Sequence, residues 1–251
     1  LKSKGRDVKQ YHINLLSAMQ VDYETHQELW APTGHFFWTN DHSFEDKILP
    51  LYREYWDTLI EELSKFDIVT FTTYFSNMVV TDYIAERIYK KNPKVHIFYG
   101  GPYCWNAPHG GLRISHPLEE PDRDWIKLAC DTEGELIIND LVDCYENGEP
   151  YDKVSGIWTW GENNKPKFTG MREPQKDLTV IPTADWEGLE LQNYAPFHYE
   201  GHAHLPLQGS RGCTYKCTFC SETRIFRFRK GKSIAKEIID QVEKYNITHF
   251  S

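Results

Sequence analysis

The chain has 251 residues, with 28 Lys and Arg against 37 Asp and Glu, a net charge of −9; 40% of residues are hydrophobic and 26% charged. These are globular proportions that exclude wholesale disorder, and the length suffices for one large domain or two smaller ones with a real core. No stretch approaches the ~18 consecutive apolar residues of a membrane span, and the opening Leu1–Gly5 lacks the apolar centre of a signal peptide.

A cytoplasmic, reducing setting is therefore expected, in which the six cysteines are thiols or metal ligands rather than a disulfide frame. Charge is uneven. From Leu205 to Ser251 nine basic residues face four acidic ones, a net of +5, which leaves −14 on residues 1–204. An acidic front argues against a general nucleic-acid binder. The basic stretch from Arg224 to Lys232, with Arg227, Arg229 and Lys230, suits an anionic ligand; the preferred reading is a solvated loop before a helix.

In chain order, Leu1–Gly5 reads as a helix end with a glycine stop, and Val8–Leu16 as a strand with no strand before it. Residues 22–43 are polar and aromatic without a period and are expected to be loop. Phe44–Phe66 repeats Phe44, Ile48, Tyr52, Tyr55, Leu59 and Leu63 at helical spacing. Asp67–Tyr74 is β-branched and aromatic, as a buried strand is. Asn77 is a candidate cap for a helix on Val80, Ile84 and Ile88 that ends before Asn92-Pro93. Val95–Tyr99 and Trp125–Cys130 are two more buried strands, and Glu133–Asn147 is a helix on Leu136, Ile137, Leu141 and Tyr145.

Strands alternating with helices imply an α/β fold with a parallel, doubly wound sheet. Ile157–Trp160 and Lys167–Thr169, joined through Gly161–Asn164, read as a hairpin. The turn-rich residues after 170 read as a linker. A strand at Leu205–Gln208 follows, then a cysteine loop, a helix over Ser233–Tyr245 on Ile234, Ile238, Ile239 and Val242, and a strand from Ile247.

The sharpest motif is Cys213, Cys217 and Cys220, a C-x3-C-x2-C spacing between a strand and a helix. Three thiolates this close can converge on one soft metal centre and leave one position of a four-iron cube open to a small molecule. A loop at the carboxyl end of a parallel strand is also where such barrels place function. The alternative is a structural zinc site with His202 or His204 as fourth ligand, and hence a zinc-bound binding module. Cys130 and Cys144 fall where core residues would. Cys104 lies in a loop, read as another small apolar residue.

The cysteine spacing, Phe219 before the third cysteine, Gly209–Gly212 before the loop and Arg227–Arg229 after it resemble the radical S-adenosylmethionine (SAM) superfamily. The resemblance implies a [4Fe-4S] cluster on Cys213, Cys217 and Cys220. It also implies SAM on the fourth iron, with the backbone near Phe219 against its adenine, and reductive cleavage of SAM by the cluster. The front resembles the cobalamin (B12)-binding domain of many such enzymes. The matching pieces are Leu1–Leu16, the strand into Thr72-Thr73-Tyr74, the Tyr99–Pro102 turn, Thr132–Glu135, and Ile181 through Trp186 to Tyr194.

That likeness implies cobalamin contacts from Thr72, Thr73, Tyr74, Ser76, Asn77, Gly100, Gly101, Pro102 and Glu133. Thr132 stands where a Gly-Glu-Gly-Glu pattern has its first glycine, and no Asp-x-His-x-x-Gly loop is found, so no histidine of that motif ligates cobalt. The implied organisation is a cobalamin-binding-like domain over 1–170 with its first strand missing, a linker over 171–203, and the first βα unit of a radical SAM partial (β/α) barrel over 204–251. The chain then reads as a fragment cut at both ends and inactive alone. The implied activity is methyl transfer to an unactivated carbon, or cyclisation or rearrangement. Implied partners are a small-molecule or peptide substrate and an electron donor such as flavodoxin or ferredoxin, with no membrane.

Overall fold

A computed structural model describes residues 1–22, 25–104, 117–119, 123–197, 201–220 and 225–251. They divide into two compact units, one of residues 17–173 and the other of residues 1–16 with 174–251. Of the expected basic stretch, Arg224 lies outside the described residues.

The front of the chain differs from expectation. Gly5 does close a short 3-10 turn with φ 78°, but Val8–Leu16 forms no strand; its second half belongs to helix α1 (Ile13–Ala18). A strand needs a partner for its backbone, and among the described residues this segment has none. Residues 25–43 are three short helices rather than loop: α2 (Gln27–Trp30), α3 (His35–Thr39) and α4 (Asp41–Ser43). Segments of three to five residues are too short to display a 3.6-residue period. Their aromatic side chains pack one by one, Trp38 donating to Leu29 O at 2.7 Å and lying against Trp30 and Tyr52.

A π turn (Phe44–Ile48) leads into α5 (Leu49–Leu63). Pro50, in the first turn of α5, lacks an N–H that would go unpaired there in any case. Tyr52, Trp56, Ile60 and Leu63 form the buried stripe. Trp56 has no exposure, stacks on Phe44 and donates to Ser17 Oγ at 3.0 Å.

The sheet follows: β1 (Ile68–Thr72), α6 (Met78–Lys91), β2 (His96–Gly100), β3 (Ile126–Cys130), α7 (Gly134–Glu146), β4 (Ile157–Trp160) and β5 (Pro166–Phe168). Its order is β1-β2-β3-β4-β5. The first three strands are parallel and the last two join as the antiparallel hairpin. Along β2, side chains alternate between helices on opposite faces. Phe98 packs with Ile137, Leu141 and Cys144 of α7, while Tyr99 donates to Asp82 of α6 at 2.8 Å. With both faces covered, β2 reads as a continuous apolar run.

Asn77 departs from its expected role. It precedes α6 without capping it. Its side chain turns back, accepting from Tyr74 N at 2.8 Å and donating to Thr72 O at 3.0 Å.

In the other unit, β6 (His204–Leu205) pairs in parallel with β9 (His249–Phe250), and α8 (Gly231–Tyr245) runs between them, a βαβ arrangement. β7 (Ser210–Arg211) and β8 (Arg227–Phe228) pair antiparallel. Residues from 174 on, expected to be linker, supply core instead: Trp186, Leu189, Leu191 and Tyr194 pack with Ala203, Leu205, Ile247 and Phe250. Residues 1–16, expected with the front domain, gather here because Asp185 holds them. Its carboxylate takes Lys2 Nζ at 2.8 Å, Lys244 Nζ at 3.1 Å and Tyr245 OH at 2.8 Å, and its carbonyl takes Gln10 Nε2 at 2.9 Å.

The stripe expected on α8 is also corrected. Ile239 is exposed, and the fully buried positions are Glu237 and Gln241. Their partners are polar: Arg229 for Glu237 and Ala184 O for Gln241, at 3.0 Å.

Candidate metal and cofactor sites

Two groups of residues singled out by sequence lie in separate units. The first is the carboxyl edge of the parallel strands. Thr72 stands opposite Gly100 in the β1–β2 register, and β3 ends beside β2, so Thr72–Asn77, Gly100–Pro102 and Glu133 share one sheet edge.

Their jobs differ. Thr73 is fully buried, bonding Gly100 O through its N at 2.6 Å and its Oγ1 at 2.7 Å. Its hydroxyl also meets Cys104 Sγ at 3.2 Å. Cys104, expected in a loop, lies in a buried turn, and burial pushes its thiol up to about 12. Burial does the same to Cys130, also to about 12. These are core thiols rather than nucleophiles.

Gly101 has φ 94°, and a Cβ there would sit 2.8 Å from Thr73 O, so this glycine is demanded by the fold itself. At Gly100 an added Cβ would make only ordinary contacts, with Cys130 Cβ at 3.8 Å and Phe71 O at 4.0 Å. Thr72, Tyr74, Ser76 and Pro102 are exposed and Glu133 half-buried before the first turn of α7. Among the described residues they place glycine backbone and exposed side chains at this edge. Behind it lies a half-buried polar group that sequence reasoning missed: Arg123 pairs with Asp82 at 2.6 Å, and Trp125 donates to Tyr99 OH at 3.3 Å. The one available signal was a tyrosine in a strand buried on both faces, since a polar tip there needs a partner.

The second group is the loop between β7 and β8. Cys213, Cys217 and Cys220 form no disulfide and are exposed. Cys220 N donates to Cys217 O at 3.0 Å and Tyr215 N to Cys213 Sγ at 3.4 Å. Phe219 is 90% exposed. Among the described residues, no three metal-ligating side chains are gathered about a common point. As a donor set the loop fits an iron–sulfur cube: three soft thiols, no carboxylate between them, open on one side. His202 and His204 stack on His249, at 4.4 and 5.2 Å between ring centres.

The arginines after the loop are not solvated as expected. Arg227 is buried, donating to Gln175 O at 2.9 Å, and Arg229 is buried against Glu237; Lys230 and Lys232 remain at the surface. No helix of the described residues is long and apolar enough to cross a membrane.

The fold so described is shared with cobalamin-dependent radical SAM enzymes. The enzyme OxsB, solved with aqua-cobalamin and SAM bound, superposes with a TM-score of 0.58 at 23% identity, covering 78% of this chain and 26% of that one. TsrM of Kitasatospora setae, a radical SAM methyltransferase solved with cobalamin and a [4Fe-4S] cluster, gives a TM-score of 0.56 at 16% identity, covering 88% and 46%.

Among curated proteins the chain is 28% identical over 185 residues to an uncharacterised methyltransferase of Pyrococcus horikoshii, covering 73% of this chain and 37% of that protein. It is 28% identical over 173 residues to the anaerobic magnesium-protoporphyrin IX monomethyl ester cyclase of Rubrivivax gelatinosus, covering 66% and 29%. It therefore spans about a third of the length of these curated relatives. No family model matches the chain.

Proposed function

We propose that the chain belongs to a cobalamin-dependent radical SAM enzyme, with C-methyl transfer its reaction. The observation that carries this is the C-x3-C-x2-C loop of exposed cysteines outside any disulfide, held between paired strands at the start of a parallel βαβ unit. Cys213, Cys217 and Cys220 would hold a [4Fe-4S] cluster, and Phe219 would stand beside SAM. When bound and reduced, the cluster supplies the electron that cleaves SAM. The chain's own part is to fix three thiolates on a closed stem and leave one side of them open.

In residues 17–173 the sheet edge of Thr72, Tyr74, Ser76, Gly100, Pro102 and Glu133 would receive cobalamin, and Thr73, Asn77 and Gly101 would shape it from beneath. Cys104, buried, and Cys130, half-buried, both with thiols pushed up by desolvation, keep the edge free of a competing thiolate. Cyclisation or rearrangement is the second reading, favoured by the cyclase relatives. A small-molecule or peptide substrate and an electron donor such as flavodoxin or ferredoxin complete the proposal, in the reducing cytoplasm that six cysteines outside any disulfide suit.

The test is iron and acid-labile sulfide after anaerobic reconstitution. About four irons per chain are expected, lost in Cys213→Ala, Cys217→Ala and Cys220→Ala and kept in Cys144→Ala. One zinc per chain and no sulfide would refute the reading in favour of a binding module.

A further inference from the structure

Arg229 and Glu237 are the most deeply buried ion pair among the described residues, their side chains 8% and 6% exposed. Neither belongs to the cofactor residues above. Arg229 follows β8, the strand that leaves the cysteine loop. Its backbone N donates to Gly209 O at 2.9 Å and its Nη1 to Gln208 O at 3.3 Å. Nη1 also meets Glu237, and Nη2 donates to Ser233 Oγ at 3.0 Å. One guanidinium thus joins the chain entering the loop, the strand leaving it and the first two turns of α8.

A planar fork with several donors can hold such partners at fixed angles, where a lysine ammonium cannot. Stability alone does not explain the pair, because apolar residues of similar volume often replace a buried ion pair at no loss. What they would not replace is the tie to Gln208.

We propose that Arg229 and Glu237 are positioning residues. They fix the entry and exit of the Cys213–Cys220 loop and so set how tightly its three thiolates hold their metal centre. The inference rests on the cluster reading of that loop.

The test begins with the wild-type protein, reconstituted anaerobically with iron and sulfide and desalted. Variants R229M, R229K, E237Q and the double variant R229M/E237L are treated alike. Three quantities are read: the rate at which a ferrous chelator removes iron well below the melting midpoint, the EPR spectrum of the reduced protein, and the midpoint itself. R229M and E237Q are expected to lose iron at least 10-fold faster than wild type, with R229K between them and wild type. The double variant is expected to regain the wild-type midpoint while still losing iron fast. Iron loss within 2-fold of wild type in every variant overturns the inference. So does iron loss that recovers together with the midpoint in the double variant, which marks the pair as structural only. Should R229M fail to fold, E237Q and R229K carry the comparison. A wild-type protein that retains no iron overturns the cluster reading and this inference with it, whereas retained iron with unaffected variants overturns this inference alone.

Discussion

Gly100 and Gly101 are adjacent at the same sheet edge, and replacing each by alanine asks what each glycine is for. At Gly101 two costs add. Its φ of 94° lies in the left-handed region, which charges an L-residue roughly 1–2 kcal/mol. The new Cβ would also stand 2.8 Å from Thr73 O, 2.9 Å from Thr73 N and 3.1 Å from Thr72 Cγ2. Two of these neighbours are backbone and cannot rotate away, so Thr73 must shift. That strains its bonds to Gly100 O and the Tyr103 N bond to Thr73 O at 3.1 Å. Overpacking of this kind costs about 1–3 kcal/mol. Gly101→Ala should therefore destabilise by about 2–5 kcal/mol, lowering the melting midpoint by roughly 4–20 °C for a unit of this size. At Gly100 the φ is not left-handed, and the Cβ would make only ordinary contacts at 3.8 and 4.0 Å. Gly100→Ala should stay within about 1 kcal/mol of wild type. Thermal and urea melts of the two variants decide the matter. Equal effects, or a neutral Gly101→Ala, would show that the Thr73 approach does not govern this turn.

Thiol reactivity separates the six cysteines. With pKa values near 12, Cys104 and Cys130 are ionised to only ~10⁻⁴ at pH 8, and Cys144 is buried. Iodoacetamide on metal-free native protein should label Cys213, Cys217 and Cys220 first, the other three only in denaturant; early labelling of Cys104, read by mass spectrometry, would contradict the buried turn. Asp185 gives a pH dependence. Its bond to Lys2, with help from Tyr245 and Lys244, holds its carboxyl well below the usual range. The folded pKa is thus depressed. Its contribution is complete above the unfolded carboxylate pKa near 4, and is lost as pH falls below that toward the folded value. Asp185→Asn should lower stability at pH 7, with the gap to wild type narrowing below pH 4; a gap that stays constant with pH would mean that charge at this position is irrelevant.

How much could be read from sequence depended on the length over which a pattern ran. Phe44–Leu63, Met78–Lys91 and Gly134–Glu146 each hold a helical period for three turns or more, and the strands between them are short and rich in apolar residues, β2 on both sides. Period and composition are local properties, so α/β layering was legible directly. The cysteine loop was legible for a related reason: its chemistry lies in the spacing of three thiols within eight residues, which the fold does not alter.

Tertiary structure decided what depends on a partner distant in sequence. Val8–Leu16 has strand-like residues but pairs with no strand among the described residues. Of the aromatics in residues 25–43, Trp30 and Trp38 pack individually against Tyr52 while Phe36 is exposed, so no common period results. Asp185 draws residues 1–16 to residues 174–251 across some 175 positions. On α8, hydropathy assigned the inner face to isoleucines and valine; Ile234, Ile238 and Val242 are half-buried there, but Ile239 is exposed and the buried positions between them are Glu237 and Gln241, which meet Arg229 and Ala184 O. The same holds for Gly101: the sequence shows a Gly-Gly turn, but only the approach of Thr73 tells which glycine is obligatory. The sequence alone thus determined element type where a pattern ran for three turns or more, and it fixed the spacing of the three thiols, because both are local properties. Burial of polar groups and the division into units were settled by the fold, because a buried charge or an unpaired backbone group is tolerable only when a partner from elsewhere in the chain arrives to meet it.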